Sequence, residues 1–238
     1  MEFDNNILLE SLRTGFINKN IESEIVYQPK IITNDYRNNE KVLTSIDSLL
    51  QECEEFFFNV AFVTKSGVIS ILNTLEKIEK QGKKGKILIS KYQNFSDPNA
   101  LRMLLKFSNI SLRIIDENNF HAKGYLFKLK KNYELIIGSS NLTQDALSKN
   151  TEYNLKLSGA NDSKLITDTL SIFSKYFQNG YEVTDEFLNE YEEIYNELKK
   201  STSTINNKTV LESSSLKPNS MQEAALKNLE TLRNANIN

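Results

Sequence analysis

The residues with chemical potential in this sequence lie between positions 121 and 152. His121 and Lys123 stand two apart in HAKGYLFKL (121–129), Ser139, Ser140 and Asn141 close YELIIGSSN (133–141), and Glu152 follows in NTEYNLKL. An alternating strand over 121–129 puts His121, Lys123, Tyr125 and Phe127 on one face and Ala122, Gly124 and Leu126 on the other. Residues two apart on a strand are separated by about 6.6–7 Å, so imidazole and ammonium can converge on one small anion. A hairpin through Lys130, Lys131 and Asn132 returns the next strand antiparallel, bringing Ser139 and Asn141 beside His121. Glu152, heading a third strand, reaches the same place. This set suits phosphoryl transfer. A phosphodiester requires a nucleophile, donors for the developing charge and an acid for the leaving oxygen. Neutral imidazole is a competent nucleophile near neutral pH. Lys123 and Asn141 are expected to hold phosphate oxygens, and Glu152 to orient the histidine or the lysine.

The rest of the composition narrows the chemistry further. The chain has 238 residues, with 29 Lys and Arg against 31 Asp and Glu, one histidine and one cysteine. A single cysteine, Cys53, leaves no internal disulfide and no cysteine-based zinc site. A single histidine leaves no multi-histidine metal centre within one chain, so no cofactor is expected and the chemistry reads as metal-independent. The near-neutral charge excludes neither nucleic acid nor any other partner, because local patches survive inside a neutral total. No run of 18 apolar residues marks a membrane span, and MEFDNNILLESL lacks the basic and apolar regions of a signal peptide. A cytoplasmic protein is the default expectation.

The elements that must position these residues follow from periodicity. A short helix is expected over 4–16. IVYQPKII (25–32) contains Pro29 and reads as an edge strand. A helix over 39–53 is followed by FFFNVAFV (56–63), a strand covered on both faces. A second helix over 66–81 ends at Gly82, KILIS (86–90) is a buried strand, and Asp97 caps a helix that begins with Pro98. Strand–helix–strand–helix–strand order implies parallel strands with helical crossovers. Strands at 110–115, 121–129, 133–140 and 152–158 then follow, and two amphipathic helices start near 165 and 184. From about 200 the composition turns to Ser, Thr and Asn, which reads as a linker.

At His121-Ala-Lys123 and Gly138-Ser139-Ser140-Asn141 the chain resembles the phospholipase D superfamily, whose signature is H-x-K, a downstream Asp, then G-S-x-N. The resemblance covers about residues 25–180, most strongly 118–158, and is closer to nuclease-type members than to lipases. It implies an α/β fold with a mixed β-sheet and helices on both faces, and a phosphohistidine intermediate on His121. It further implies that two motifs meet in one active site. With one motif per chain, that requires a homodimer. His121, Lys123, Asn141 and Glu152 are the catalytic set, and Ser139 and Ser140 the substrate-binding pair, although Ser139 serves equally well as a turn residue. The family's Asp position is Lys128 here; nuclease-type members often use a glutamate such as Glu152 instead.

The segment LKPNSMQEAALKNLETLR resembles the lead-in to a superfamily 2 helicase core, with Pro218 four residues before Gln222, the adenine-reading position. This implies a nuclease-like domain over 1–200, a linker over 201–219, and the start of a helicase motor over 220–238. The implied partners are DNA, a second copy and the motor, with no membrane, in restriction or defence against phage. The competing reading is a catalytically silent nucleic-acid-binding or dimerisation module attached to a helicase. Lipid hydrolysis is disfavoured because no apolar interfacial helix is evident. Bland readings hold elsewhere: Tyr125, Phe127 and Phe56–Phe58 as core, Cys53 as a small buried hydrophobe, and Lys83, Lys84, Lys86 and Lys91 as a solvated cluster.

Overall fold

A computed structural model describes residues 28–38, 40–91, 95–117 and 119–209. The helix expected over 4–16 lies outside them. The described strands are β1 (Lys30–Ile32), β2 (Glu55–Val60), β3 (Lys84–Ser90), β4 (Ile110–Ile115), β5 (Lys123–Lys128), β6 (Tyr133–Gly138), β7 (Asn154–Gly159) and β8 (Tyr181–Glu182). The helices are α1 (Val42–Glu52), α2 (Lys65–Lys80), α3 (Pro98–Leu105), α4 (Gln144–Ser148), α5 (Lys164–Asn179) and α6 (Asp185–Thr209). One compact unit ends at Tyr195 and a second begins at Asn196. α6 continues to Thr209, so the linker expected from residue 201 is helical over 201–209. The expected linker remainder and helicase segment lie outside the described residues.

The strands form one sheet in the order β1-β7-β6-β5-β2-β3-β4-β8. β2, β3 and β4 are parallel, as strands joined by helical crossovers must be. β5, β6 and β7 form an antiparallel meander, and β5 pairs antiparallel with β2. The sheet is therefore mixed. Pro29 precedes β1, which is an edge strand against β7, as expected of a proline-containing segment.

Both faces of the sheet are covered. Phe56, Phe58, Tyr125, Phe127 and Ile136 point into a core with α1, α2, α3 and α4, closed by Leu188 and Tyr191 of α6. Phe57, Leu88, Leu126, Leu135 and Leu157 point the other way, against Ile166, Phe173 and Phe177 of α5. Phe58 meets Tyr125 edge-on at 4.9 Å, and Phe57 meets Phe173 at 5.5 Å. β2 thus feeds both cores, which explains its unbroken aromatic run.

Local signals set the helix ends. The Thr64 side chain accepts from the Gly67 amide at the start of α2, and Asp97 accepts from Asn99 ahead of Pro98 at the start of α3. α2 is followed by Gly82, whose φ of +70° is the left-handed conformation that glycine adopts without strain. Arg113 Nη1 reaches the C-terminal carbonyls of α5, at 2.9 Å from the Phe177 oxygen. Its guanidinium also stacks on the Phe177 ring. Cys53 is fully buried, and burial pushes its thiol up to about 11.

Candidate active site

The sheet registers place the chemistry at one edge. β2, β3 and β4 end there, β5 and β7 begin there, and β6 ends there. Val60 is opposite Lys123, Gly124 opposite Ile137, and Gly138 opposite Asn154. His121, Lys123, Ser139, Asn141 and Glu152 all belong to this edge.

His121 is not on the strand. β5 begins at Lys123 because its ladder partner β2 stops at Val60, so His121 has no ladder position. Its approach to Lys123 therefore does not come from strand alternation. The lysine folds back: Nζ lies 2.8 Å from His121 Nδ1 and 2.9 Å from the His121 carbonyl oxygen, to which it donates. A charged ammonium carries only donors, so Nδ1 is the acceptor in this contact. Partial burial holds the Lys123 ammonium below the ordinary lysine range, while the Glu152 carboxylate pulls in the opposite direction.

Glu152 and Ser139 form the second part. Ser139 Oγ donates to Glu152 Oε2 and accepts from the Tyr153 amide at 3.1 Å. Ser139 is exposed and tethers the head of β7 to the end of β6. Of the two roles expected for Glu152, its charge acts on Lys123, and its hydrogen bond is to the serine.

Asn141 and Ser140 sit differently from expectation. Asn141 is 8 % exposed, and its Oδ1 accepts from the backbone amides of Ala61 at 3.2 Å and Phe62 at 3.4 Å. Two N–H donors fix the orientation of the amide, leaving Nδ2 as its donor. Asn141 thus holds the β2–α2 connection. Ser140 is fully buried. Asn154 Oδ1 accepts from its amide at 3.3 Å, Asn154 Nδ2 donates to its Oγ at 2.9 Å, and Tyr125 Oη donates to its carbonyl at 2.9 Å. Ser140 lies past the end of β6, fully buried, with its amide, hydroxyl and carbonyl all bonded within the fold, so the expected substrate-binding role does not fit it and it acts as a structural residue of the loop.

Two residues escaped the sequence reading. Asn154 is buried and fastens the Gly138–Asn141 loop from below. Asn59 lies opposite Gly124 and, with His121 and Lys123, lines a cavity of about 280 Å³ walled by Phe57, Leu126 and Ile137. Its signal was present: it is the one polar residue in FFFNVAFV. A Cβ on Gly124 would come within 2.6 Å of Asn59 Oδ1, so glycine there allows the asparagine to fit.

The family's Asp position, Lys128, is at the other end of β5, paired with Glu55 and Tyr133. Five strand steps separate it from Lys123, about 16 Å. The departure from the signature therefore lies away from this edge. The remaining basic cluster is largely engaged: Lys91 pairs with Asp116, Lys86 lies near Glu55, and Lys83 donates to the Gln51 carbonyl. Among the described residues, no three His, Cys, Asp or Glu side chains gather as a metal-ligand cluster, and no helix is long and apolar enough to cross a membrane.

A sheet of this topology with H-x-K and G-S-x-N at one edge defines a phospholipase D-like domain. The sequence model of the family described as cardiolipin synthase, PLD-like domain, matches residues 46–179, and the chain belongs to that family. The fold is similar to that of NucT from Helicobacter pylori, at 18% identity and TM-score 0.52, over 66% of this chain and 99% of that one. It is similar to Nuc, a phospholipase D family member from Salmonella typhimurium, at 19% identity and TM-score 0.51, over 66% of this chain and 100% of that one. Phosphatidylserine synthase from Haemophilus influenzae shares the fold at 15% identity and TM-score 0.52, over 77% of this chain and 46% of that one. No curated protein matches the sequence.

Proposed function

We propose that this domain is a metal-independent phosphodiesterase acting on DNA, with His121 as nucleophile and the active site shared by two copies. The observation that carries the reading is the Lys123–His121 contact at the edge where Ser139 and Glu152 also meet. Family membership and the fold shared with NucT and with Nuc, a phospholipase D family member, support it.

In the first step a His121 ring nitrogen attacks phosphorus. The P–N bond forms as the P–O bond to the leaving group breaks, and the leaving oxygen takes a proton from the imidazolium of His121 in a second copy. Water then attacks the phosphohistidine while that second imidazole removes its proton. The P–N bond breaks, a phosphate monoester departs and the first imidazole is restored. Lys123 Nζ moves from the ring to a phosphate oxygen when the anion arrives, and Asn141 Nδ2 donates to another oxygen. Glu152 keeps the lysine charged and Ser139 in place. The resemblance of residues 216–233 to a helicase lead-in supports a motor C-terminal to this domain, and with it a role in restriction or phage defence.

Cleavage of bis(p-nitrophenyl) phosphate, single-stranded and duplex DNA, and phosphatidylglycerol in EDTA, with His121→Ala as control, tests this. DNA cleavage that persists in EDTA and disappears in His121→Ala is the expected result. Loss of cleavage in EDTA overturns the metal-free mechanism, and cleavage of lipid alone overturns the substrate.

A further inference from the structure

We propose that Phe62 and Phe95 form a stacking platform for an unpaired nucleobase beside the scissile phosphate, so that the preferred substrate is a single strand; this rests on the phosphodiesterase reading above. The two rings meet edge-on, with centroids 6.1 Å apart, and Phe95 is 51 % exposed. A large aromatic ring with about half its surface exposed offers apolar area to a ligand.

Their position relates them to the site. β2 and β5 are neighbouring strands, and Val60–Lys123 is their last ladder pair at this edge. Phe62 follows the end of β2 by two residues and His121 precedes the start of β5 by two, so both belong to the connections that leave this edge of the sheet. Asn141 Oδ1 accepts from the Phe62 amide, which binds the ring-bearing backbone to the phosphate motif. On its other side the connection is held by the segment carrying Phe95: Ser96 Oγ accepts from the Val63 amide at 3.3 Å, and the Asp97 amide donates to the Val63 carbonyl at 3.0 Å. Both rings therefore come from connections that border the motif loop.

Chemistry selects the occupant. A rigid, half-exposed ring matches the π-face of a base, and stacking of this kind is tolerant of sequence but requires the base to be unpaired. Docking on a lipid surface calls for a broader apolar face than two rings. Lys65, exposed at the start of α2, stands three residues from Phe62 as a cation for the flanking backbone.

The test is binding, measured by fluorescence anisotropy in the full chain carrying His121→Ala, which prevents turnover. The ligands are an oligothymidylate on the order of ten nucleotides long and an abasic strand of equal length. Phe95→Ala is expected to weaken oligothymidylate binding about tenfold, to leave abasic binding unchanged, and to be rescued by Phe95→Trp. Equal weakening on both strands, no weakening on either, no rescue, or no binding by the parent overturns the proposal. So does a Phe95→Ala effect confined to phosphatidylglycerol vesicles. Hydrolysis of bis(p-nitrophenyl) phosphate by the unsubstituted chain reports separately on the phosphodiesterase reading.

Discussion

The Lys123 ammonium lies 2.8 Å from the His121 imidazole nitrogen and donates at 2.9 Å to the carbonyl of the same histidine. One cation thus spans the side chain and the backbone of the proposed nucleophile, and in the proposed mechanism it is the first ligand for an incoming phosphate oxygen. Burial lowers its proton affinity and the Glu152 carboxylate raises it. The ammonium is the binding form, so activity falls as pH rises through the lysine pKa, below where an ordinary lysine titrates. Replacing Glu152 with Gln removes the raising influence. The alkaline limb of kcat/KM is expected to move to lower pH in Glu152→Gln; an unmoved limb, measured across pH 7–11 on bis(p-nitrophenyl) phosphate, refutes the coupling.

Lys123→Met retains much of the stem and removes the charge. It is expected to lower kcat/KM by about 10²–10³-fold, the scale for losing one preorganised donor to a developing oxyanion. A decrease below about tenfold in steady-state kinetics would argue against direct phosphate contact.

Asn141 has two separable jobs. Its Oδ1 accepts from the Ala61 and Phe62 amides, and in the proposed mechanism its Nδ2 donates to substrate. Asn141→Ala strips the acceptor from two amides and is expected to cost about 1–3 kcal/mol in urea unfolding, along with activity. Asn141→Asp preserves the acceptor, deletes the donor and places an anion where phosphate binds. It is expected to retain the melting temperature within about 4 °C while losing cleavage. Equal loss of both properties in the two variants would reduce Asn141 to a scaffold residue.

The parts of this domain that show in the sequence are those fixed by burial and local backbone chemistry. The aromatic run of β2 announces a strand between two cores, and Asp97-Pro98 and Gly82 announce helix ends, because one or two residues determine each. Serine orientation is different. Ser139 and Ser140 are neighbours of the same type, yet one faces solvent against Glu152 and the other lies under Asn154, which is fourteen residues away. His121 shows the same limit: its alternation continues that of β5, but the strand starts only where β2 supplies a partner. Long-range pairing, not composition, decides such cases, and it also assigns Asn59 and Asn154 their places.

Close packing of α2 on the motif loop explains one glycine. A Cβ on Gly67 would lie 2.1 Å from the Leu142 carbonyl oxygen, and the Thr64 amide donates to that same oxygen at 3.2 Å. Gly67→Ala is expected to cost about 1–3 kcal/mol and to lower kcat/KM, because Leu142 follows Asn141 directly. Gly82→Ala is the control: its methyl meets nothing within 4 Å, but its φ of +70° costs about 1 kcal/mol with activity intact. Chemical denaturation and kinetics on both variants separate displacement of the loop from simple loss of stability.

Lys128 bears on how the signature should be read. Its place at the far end of β5 removes it from the phosphate, so Lys128→Asp is expected to leave kcat/KM within about twofold despite restoring the family residue. Asp there also faces Glu55 across the ladder, and like charges opposite one another destabilise a sheet slightly. A large gain in activity would mean that the position acts on the site through the strand.

The decisive question for the mechanism is whether one histidine per chain suffices. If His121 of one copy attacks and His121 of another protonates the leaving group, only a pair with both histidines turns over. Unfolding and refolding mixtures of the unsubstituted chain with His121→Ala randomises the pairs. Activity per total protein is then expected to fall as the square of the unsubstituted fraction, because a mixed pair lacks either nucleophile or acid. A linear fall, with sedimentation showing one chain per particle, would place both roles within a single copy. The leaving oxygen would then need another proton donor, and the carboxylic acid that acts on Lys123 and bonds a serine is Glu152.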